Sequence, residues 1–151
     1  MSNNGFIANP VIFLDIDGVL NSAQMDWSKF QMQPELVARM NELVRRTGAM
    51  VVLSSTWRSA PNWREMTQEH GLDFEFLDRT PRLNGKPRGA EIYSWLSKNR
   101  DIKNYAIIDD DGDMLALQKP HFFQTSWELG LTQEIADAVY KYLCPHASAT
   151  L

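Results

Sequence analysis

Two clusters of acidic residues carry the clearest chemical signal in this sequence. The first contains Asp15 and Asp17 and directly follows an apolar run. The second also follows an apolar run and contains Asp109, Asp110 and Asp113. If both runs are strands of one parallel sheet, the two clusters emerge at the same edge of it. Carboxylates gathered this closely repel one another unless a cation neutralises them. An all-oxygen site suits Mg²⁺, which keeps several waters and leaves room for a phosphate group.

These acids have two other interpretations. Acidic side chains also mark the points where buried strands run out into solvent. A calcium-binding EF-hand loop is the second alternative, and the spacing excludes it. With Gly112 at the sixth position of such a loop, Ile107 would be first and Gln118 twelfth, and neither supplies the required carboxylate.

Ser54 and two basic residues offer contacts for an anion. Ser54 follows the apolar run 50–53, and a hydroxyl at a strand tip can hold phosphate oxygens together with free backbone N–H groups. Helix capping is the alternative role for this serine. Lys86 and Arg88 precede a predicted helix, where a positive charge opposes the helix dipole. A bound anion would explain cations at that position, and solvated loop charges are the alternative.

Short apolar runs alternate with amphipathic stretches along the chain. The runs predict strands over residues 11–16, 49–53, 72–77, 105–108 and 121–124. The amphipathic stretches predict helices over residues 34–46, 61–70 and 89–98, a short helical turn over 113–118, and a last helix from the N-cap Thr132 to Leu143. Nearly continuous apolar strands are typical of parallel sheets that are covered on both faces. The pattern therefore predicts an α/β fold with a mostly parallel five-stranded sheet and helices on both faces.

Length and composition limit the classes of protein to which the chain can belong. Its 151 residues suit a single domain spanning positions 1–151, and 44% hydrophobic with 23% charged residues is typical of globular proteins. A net charge of −4 argues against attachment to nucleic acid or membrane mainly through bulk positive charge. It does not exclude a local basic patch. Cys144 is the only cysteine, which excludes an intramolecular disulfide and favours a reducing compartment. Without a signal-peptide core or a membrane span, we expect a soluble, cytoplasmic protein.

The order of these features resembles the haloacid dehalogenase-like (HAD) superfamily of phosphohydrolases. A strand with Asp-x-Asp-Gly-Val-Leu, a strand with Ser, a basic residue before a helix and a strand with Asp-Asp follow one another, as the four superfamily motifs do. The first motif is the most specific, and its second Asp is similar to that of phosphatases rather than dehalogenases. The resemblance covers nearly the whole chain and implies a three-layer, Rossmann-like fold.

Within the superfamily, the chain is most similar to the small HAD domain of the "Swiss Army Knife" RNA repair proteins. The matching stretches are residues 53–58, 88–92 with Trp95 and Leu96, 107–111, and 121–125 with 130–132. Those proteins carry further repair domains, for which this chain has no room. We therefore do not expect RNA repair to follow from the fold alone.

The resemblance implies a catalytic role for each matched position. Asp15 matches the nucleophile that forms an aspartyl-phosphate, and Asp17 matches the general acid and base. Ser54 matches the phosphate-binding hydroxyl, with Ser55 as a substitute. Lys86 matches the basic residue that steadies the transferring phosphoryl group, and Arg88 is a rival for this role because the closer family places its basic residue there.

The resemblance also implies a Mg²⁺ site. Asp109 matches the metal ligand of the fourth motif, beside the carboxylate of Asp15 and the backbone carbonyl of Asp17. The second acid of that motif is Asp110 if the two acids are adjacent and Asp113 if they are spaced, and the sequence offers both.

The gaps at the usual cap insertion points are short. Residues 21–33 and 78–85 leave room for only a small flap that includes Met25, Trp27 and Phe30, so we expect no large cap domain. An open site favours a large phosphorylated substrate, such as the end of an RNA or DNA strand or a phosphoprotein. Closure of the site by another subunit is the alternative. The flap aromatics either stack on a base or cover the core.

If the ends of RNA or DNA strands are the substrate, we expect six basic residues to form a rim around the acidic cluster: Arg58, Arg64, Arg79, Arg82, Lys86 and Arg88. For Arg58, a structural ion pair is the alternative. The leading hypothesis for the whole chain is a Mg²⁺-dependent phosphatase. A catalytically silent phosphate-binding module or accessory subunit and a phosphotransferase are the alternatives, and the oligomeric state stays open.

Overall fold

The computed structural model describes residues 9–146, which contain a five-stranded sheet flanked by helices. The strands are β1 (Val11–Leu14), β2 (Met50–Leu53), β3 (Phe76–Arg79), β4 (Tyr105–Asp109) and β5 (Phe122–Gln124). Their order across the sheet is β3-β2-β1-β4-β5, and every neighbouring pair is parallel. The predicted α/β fold with a five-stranded sheet is confirmed.

The described residues also contain four α-helices and two 3₁₀ helices. They are α1 (Pro34–Thr47), α2 (Trp63–Gln68), α3 (Arg88–Ser97) and α4 (Gln133–Leu143), with 3₁₀ helices at Thr56–Ser59 and Ala116–His121. Gly48 ends α1 in the left-handed conformation, with a φ of 67°, and Thr132 caps α4 by accepting a hydrogen bond from the backbone N–H of Ile135. Between residues 9 and 146, no helix is both long and apolar enough to cross a membrane.

The sheet buries both of its faces, and its strands alternate between two cores. Ile12 and Leu14 of β1 belong to the larger core, which α1 and α4 cover. Phe13 faces the other side, where its ring meets Trp95 of α3 edge-on at a centroid distance of 5.4 Å. Helices on both faces make the three layers that the sequence predicts, and the central strand β1 is buried over its full length.

The segment between β1 and α1, residues 21–33, consists of turns and bends. Met25 is buried, whereas Trp27 and Phe30 are 48% and 42% exposed. The ring of Trp27 lies against that of Trp127 from the loop after β5, at a centroid distance of 5.6 Å. This segment therefore contains no helix or strand, and of the three side chains predicted for a flap Met25 packs into the interior.

Four predicted elements differ in their bounds by two residues or more. The strand expected over 11–16 ends at Leu14, and the helical turn expected over 113–118 is the 3₁₀ helix Ala116–His121. The strand expected over 72–77 is β3 at Phe76–Arg79, because pairing with β2 begins only where Phe76 lies opposite Val51. Leu72 is buried in the core before the strand starts, and the polar Asp78 and Arg79 continue the strand at the edge of the sheet. Apolar content alone therefore places this strand too early. Likewise, the helix expected over 61–70 is the shorter α2.

Candidate active site

The carboxyl ends of β1, β2 and β4 lie side by side. The last residue of β1 is in register with the last residue of β2 and with the fourth residue of β4. Hydrogen bonds continue beyond these pairs: the N–H of Asp15 donates to Ile108 (3.1 Å), and the N–H of Ser54 donates to Leu14 (2.8 Å). Asp15, Ser54 and Asp109 therefore meet at one edge of the sheet.

Three carboxylates gather at this edge. Asp15, Asp109 and Asp110 each offer an oxygen atom, and these atoms lie within 4.8 Å of one another. Asp15 and Asp109 are 6% and 1% exposed, and Asp110 is half-buried. Such a set of close, buried oxygen donors fits Mg²⁺. The sequence left open whether Asp110 or Asp113 is the second acid of the fourth motif. Of these two residues, Asp110 belongs to the group of three carboxylates.

Burial changes the acidity of the two inner carboxyls. It raises the pKa of Asp15 to about 6, although the nearby Arg88 guanidinium acts in the opposite direction. Burial and the negative charge of Asp15 together raise the pKa of Asp109 to about 9, again opposed by Arg88. Between about pH 6 and pH 9 the folded pair therefore retains one proton, unless a further positive charge binds beside it.

Arg88, the first residue of α3, supplies positive charge inside the cluster. Its Nη1 lies 3.4 Å from Asp15 Oδ1 and 3.1 Å from Asp109 Oδ2, and it also donates to the backbone carbonyl of Ser54. The rival cation Lys86 is exposed and lines a pocket of about 180 Å³ next to Arg88. The structure thus brings Arg88, and not Lys86, into contact with the acidic residues.

The two serines after β2 have different environments. Ser55 caps the 3₁₀ helix, since its Oγ accepts a hydrogen bond from the N–H of Trp57 at 3.2 Å. Ser54 is 1% exposed, and its Oγ has no hydrogen-bond partner among the described residues. An unpaired buried hydroxyl is costly, so a ligand oxygen at this position would satisfy it.

Asp17 lies at the solvent side of the cluster. It is exposed, and its Oδ1 accepts hydrogen bonds from Asn21 Nδ2 at 2.9 Å and from Trp57 Nε1 at 3.3 Å. Asn21 is fully buried and also accepts a hydrogen bond from the N–H of Gly18, so it holds the turn together. Sequence reasoning assigned no role at this site to Asn21 or Trp57. Asn21 ends the conspicuous run 15–21, but nothing in that run shows which group it binds.

Asp113 lies at the start of α3 rather than in the carboxylate group. Its Oδ2 accepts a hydrogen bond from the backbone N–H of Arg88 at 2.9 Å, and its carbonyl accepts one from Gly89 at 3.1 Å. The negative charge of a carboxylate at a helix N-terminus interacts favourably with the helix dipole. Asp113 therefore acts on the site by holding the backbone of Arg88 in place.

A buried ion pair supports Arg88 from behind. Arg58 is 2% exposed, and its Nη2 lies 2.7 Å from Glu91 Oε1. The same Glu91 oxygen lies 3.8 Å from Arg88 Nε, and Glu91 Oε2 accepts a hydrogen bond from the N–H of Leu83. This confirms the structural alternative for Arg58. Glu91 is a positioning residue that sequence reasoning did not identify.

Of the six arginines and lysines expected in a basic rim, five line two adjoining pockets near this edge. They are Arg58, Arg79, Arg82, Lys86 and Arg88. Arg64 lies apart from these pockets: it donates to the carbonyl of Phe76 and its guanidinium covers the ring of Trp63.

Gly18 permits the close packing of the first acidic cluster against the second. Its φ is 83°, and a Cβ placed on it would overlap the carboxylate of Asp110. Its carbonyl also accepts a hydrogen bond from Thr125 Oγ1 at 2.6 Å. Only a glycine meets both the conformational and the spatial requirement here.

Gly18→Ala is expected to lower both stability and metal binding. A non-glycine residue in this conformation costs about 1–3 kcal/mol, and the added methyl group displaces Asp110. Gly48→Ala is the matched control, because Gly48 has a φ of 67° and a Cβ there would meet no atom within 4 Å. Both variants should melt at lower temperature, whereas only Gly18→Ala should weaken Mg²⁺ binding measured by calorimetry. Equal metal affinities would contradict the placement of Asp110 at the site.

Without metal ions, the protein is expected to lose stability as the pH rises. The unfolded carboxyls have pKa values near 3.8, and the folded ones titrate at about 6 and about 9, so the folded state binds more protons between these limits. Raising the pH through this window therefore favours unfolding. Thermal unfolding in a chelator would show a melting temperature several degrees lower at about pH 8 than at about pH 5.

Asp109→Asn tests the origin of this pH dependence. The variant removes one titrating carboxyl, so its melting temperature should fall less steeply with pH, and Mg²⁺ should raise it less. Asp101→Asn is the control. Asp101 is an exposed acid in the loop before β4, and this loop lies at the amino ends of the strands, away from the acidic cluster. Parallel pH profiles for wild type and Asp109→Asn would refute the explanation.

The parallel sheet and the acidic cluster at its carboxyl edge define a HAD-like protein of the hydrolase superfamily. A family model described as the HAD domain in Swiss Army Knife RNA repair proteins matches residues 11–136, which include all five strands and the acidic cluster. The chain therefore belongs to this family. Searches of curated proteins and of solved structures each found no match.

Proposed function

We propose that this protein is a Mg²⁺-dependent phosphatase that hydrolyses phosphomonoesters through an aspartyl-phosphate intermediate. The observation that carries the proposal is the buried Asp15, which lies 3.4 Å from Arg88 and within the group of three carboxylates. In this proposal Asp15 is the nucleophile, which membership of the HAD family supports. Arg88 supplies the opposite charge that favours the ionised form of this carboxylate.

The proposed reaction has two displacements at phosphorus. An Oδ atom of Asp15 forms a bond to phosphorus while the bond to the leaving oxygen breaks, and Asp17 gives that oxygen a proton. Water then attacks the same phosphorus, Asp17 takes its proton, and the bond to Asp15 breaks to release inorganic phosphate. Arg88 and the hydroxyl of Ser54 stabilise the charge on the phosphoryl oxygens during both steps.

The contacts of Asp17 suit a proton carrier. Asn21 and Trp57 both donate to its Oδ1, which holds the carboxylate in one orientation and leaves Oδ2 for the proton. Exposure to solvent lets the same group meet the leaving oxygen first and a water molecule afterwards. Asn21 and Trp57 are positioning residues in this proposal.

The residues that would hold Mg²⁺ are Asp15, Asp109 and Asp110, together with the backbone carbonyl of Asp17. When bound, the cation neutralises the clustered carboxylates and polarises a phosphoryl oxygen. Its charge would also lower the raised pKa values of Asp15 and Asp109, so that both are ionised near neutral pH.

The proposed substrate is large and phosphorylated, such as the end of an RNA or DNA strand. The small flap leaves the sheet edge accessible, and the exposed rings of Trp27 and Trp127 lie in the loops that follow β1 and β5 at that edge. The family is described from RNA repair proteins, and RNA repair is a property of those proteins. For this chain, that description supports only the choice of substrates to test.

The test is hydrolysis of an aryl phosphate and of 5′- and 3′-phosphorylated oligonucleotides, with Mg²⁺ and with a chelator. Metal-dependent release of inorganic phosphate is the expected result, with faster turnover of an oligonucleotide than of the aryl phosphate. Transfer of the phosphoryl group to an added alcohol would identify a phosphotransferase. Binding of phosphorylated ligands with no turnover of any substrate would instead indicate a silent phosphate-binding module.

A further inference from the structure

A second polar pocket of about 420 Å³ lies next to the candidate active site. Its polar lining consists of Arg58, Ser59, Arg79, Thr80, Arg82 and Asn84. It sits at the carboxyl edge of the sheet, because the N–H of Thr80 extends the pairing of β3 by donating to Leu53, the residue before Ser54. No carboxylate of the described chain lines this pocket. We call it the arginine pocket.

The arginine pocket carries an excess of positive charge. Glu91 neutralises Arg58, whose Nε, Nη1 and Nη2 are all engaged by protein oxygens. Arg79 and Arg82 form no ion pair with any described residue. Each donates one hydrogen bond from Nη1, Arg79 to the carbonyl of Arg58 and Arg82 to Ser59 Oγ. The Arg79 guanidinium also lies over the ring of Trp63, 5.5 Å from its centroid. The other guanidinium N–H groups of both arginines have no hydrogen-bond acceptor among the described residues.

Thr80, one of the residues lining this pocket, has a buried hydroxyl without a hydrogen-bond partner in the described part of the chain. Thr80 is 2% exposed, and its Oγ1 makes no hydrogen bond with any described residue. Leaving a buried hydroxyl unpaired costs free energy, which an acceptor oxygen in the pocket would recover. Two available guanidinium groups beside an unpaired hydroxyl form a site suited to an oxyanion.

The arginine pocket adjoins the catalytic cluster. Arg58 and Arg82 also line the smaller pocket that contains Arg88. A single oxygen of Glu91 lies between the guanidinium groups of Arg58 and Arg88. Burial lowers the pKa of Arg58, Glu91 opposes this, and the charges of Arg88 and Arg82 lower it further, in keeping with three cations grouped closely. An anion in the arginine pocket would thus be a near neighbour of a phosphoryl group at Asp15.

We propose that the arginine pocket binds a second phosphate group of the substrate, while the phosphate to be removed lies at Asp15. This inference rests on the proposed function for the location of the first phosphate. The recognised chemistry is a second phosphate, either the next phosphodiester of a nucleotide strand or a second monoester of a small bisphosphate. Arg79 and Arg82 bind its oxygens, and Thr80 donates a hydrogen bond to it.

Equilibrium binding to the Asp15→Asn chain in Mg²⁺ tests this proposal without turnover. The ligands are thymidine 5′-monophosphate, thymidine 3′,5′-bisphosphate and 5′-phosphorylated dithymidylate, measured by calorimetry. We expect at least one of the two-phosphate ligands to bind about tenfold tighter than the monophosphate. Tighter binding of the dithymidylate identifies a strand as the source of the second phosphate, and tighter binding of the bisphosphate identifies a small molecule.

Arg82→Gln, added to this chain, should remove most of that tenfold advantage. Arg100→Gln is the matched control, because it removes the same charge from an exposed position before β4, at the opposite edge of the sheet. Thr80→Val is the second variant: it should weaken binding of the two-phosphate ligand and raise the melting temperature of the free chain, since it deletes an unpaired buried hydroxyl.

Equal affinities for one and two phosphates would overturn the proposal. So would an equal loss of affinity in Arg82→Gln and Arg100→Gln, which would show that only total charge matters. Failure of wild type to hydrolyse any phosphomonoester would overturn the proposed function, and the binding comparison would remain a separate result.

Discussion

Asp15→Asn is expected to lower kcat for phosphomonoester hydrolysis by about 10⁴-fold or more, as loss of a covalent nucleophile does in other hydrolases. An amide oxygen is too weak a nucleophile to form the phosphorylated intermediate, and the change preserves the shape of the side chain. Rapid quenching followed by mass measurement of the intact chain should detect a phosphoryl adduct in wild type and none in the variant. Steady-state release of phosphate gives the loss in kcat.

The variant also has a stability control. Because burial raises the pKa of Asp15, replacing this carboxyl with a neutral amide should leave the melting temperature at about pH 8 unchanged or higher. A folded, inactive chain then separates chemistry from unfolding. Asp101→Asn, at the opposite edge of the sheet, serves as the matched substitution. Substantial turnover in Asp15→Asn would rule out the aspartyl-phosphate route.

Arg88→Ala is expected to lower kcat/KM by about 10³-fold, within the range for removal of an arginine that stabilises a transferring phosphoryl group. Arg88 also opposes the increase in the pKa of Asp15 and Asp109, so its loss should raise both values further. The acidic limb of the pH–activity profile should therefore move to higher pH. A purely structural role would lower activity without that shift.

Comparison with Lys86→Ala identifies the basic residue of the third motif. Lys86 is exposed and makes no contact with the carboxylates, so its removal should cost less than tenfold in kcat/KM. Arg88→Lys should recover part of the activity, since it keeps the charge but loses the planar contacts. A larger loss in Lys86→Ala than in Arg88→Ala would reverse the assignment.

The first motif and the strands that carry it could be predicted well from the sequence. Both features depend on residues close together in the chain: a buried strand gives an apolar run, and the acids follow at its end. The same local character explains the correct ends of α1 at Gly48 and of α4 at Thr132. Edge strand β3 was placed too early because its last two residues are polar.

The choice between paired alternatives required the tertiary structure. Arg88 and Lys86 are two residues apart and carry the same charge, and of the two only Arg88 contacts Asp15 and Asp109. Asp113 has the right residue type for a ligand, but its hydrogen bonds go to the N-terminus of α3. Such choices depend on angles between elements, which residue types do not encode locally.

The type of sheet, the acids at the carboxyl ends of its strands and the family of the chain follow from local sequence patterns. The side chains that support these acids become evident only in the folded chain: Glu91 lies between Arg58 and Arg88, and Trp57 donates a hydrogen bond to Asp17. Arg58 and Glu91 are 33 residues apart in the chain, and Asp17 and Trp57 are 40 residues apart. Periodicity and motif spacing report on neighbours in the chain, whereas these contacts form only when separate strands and helices pack together.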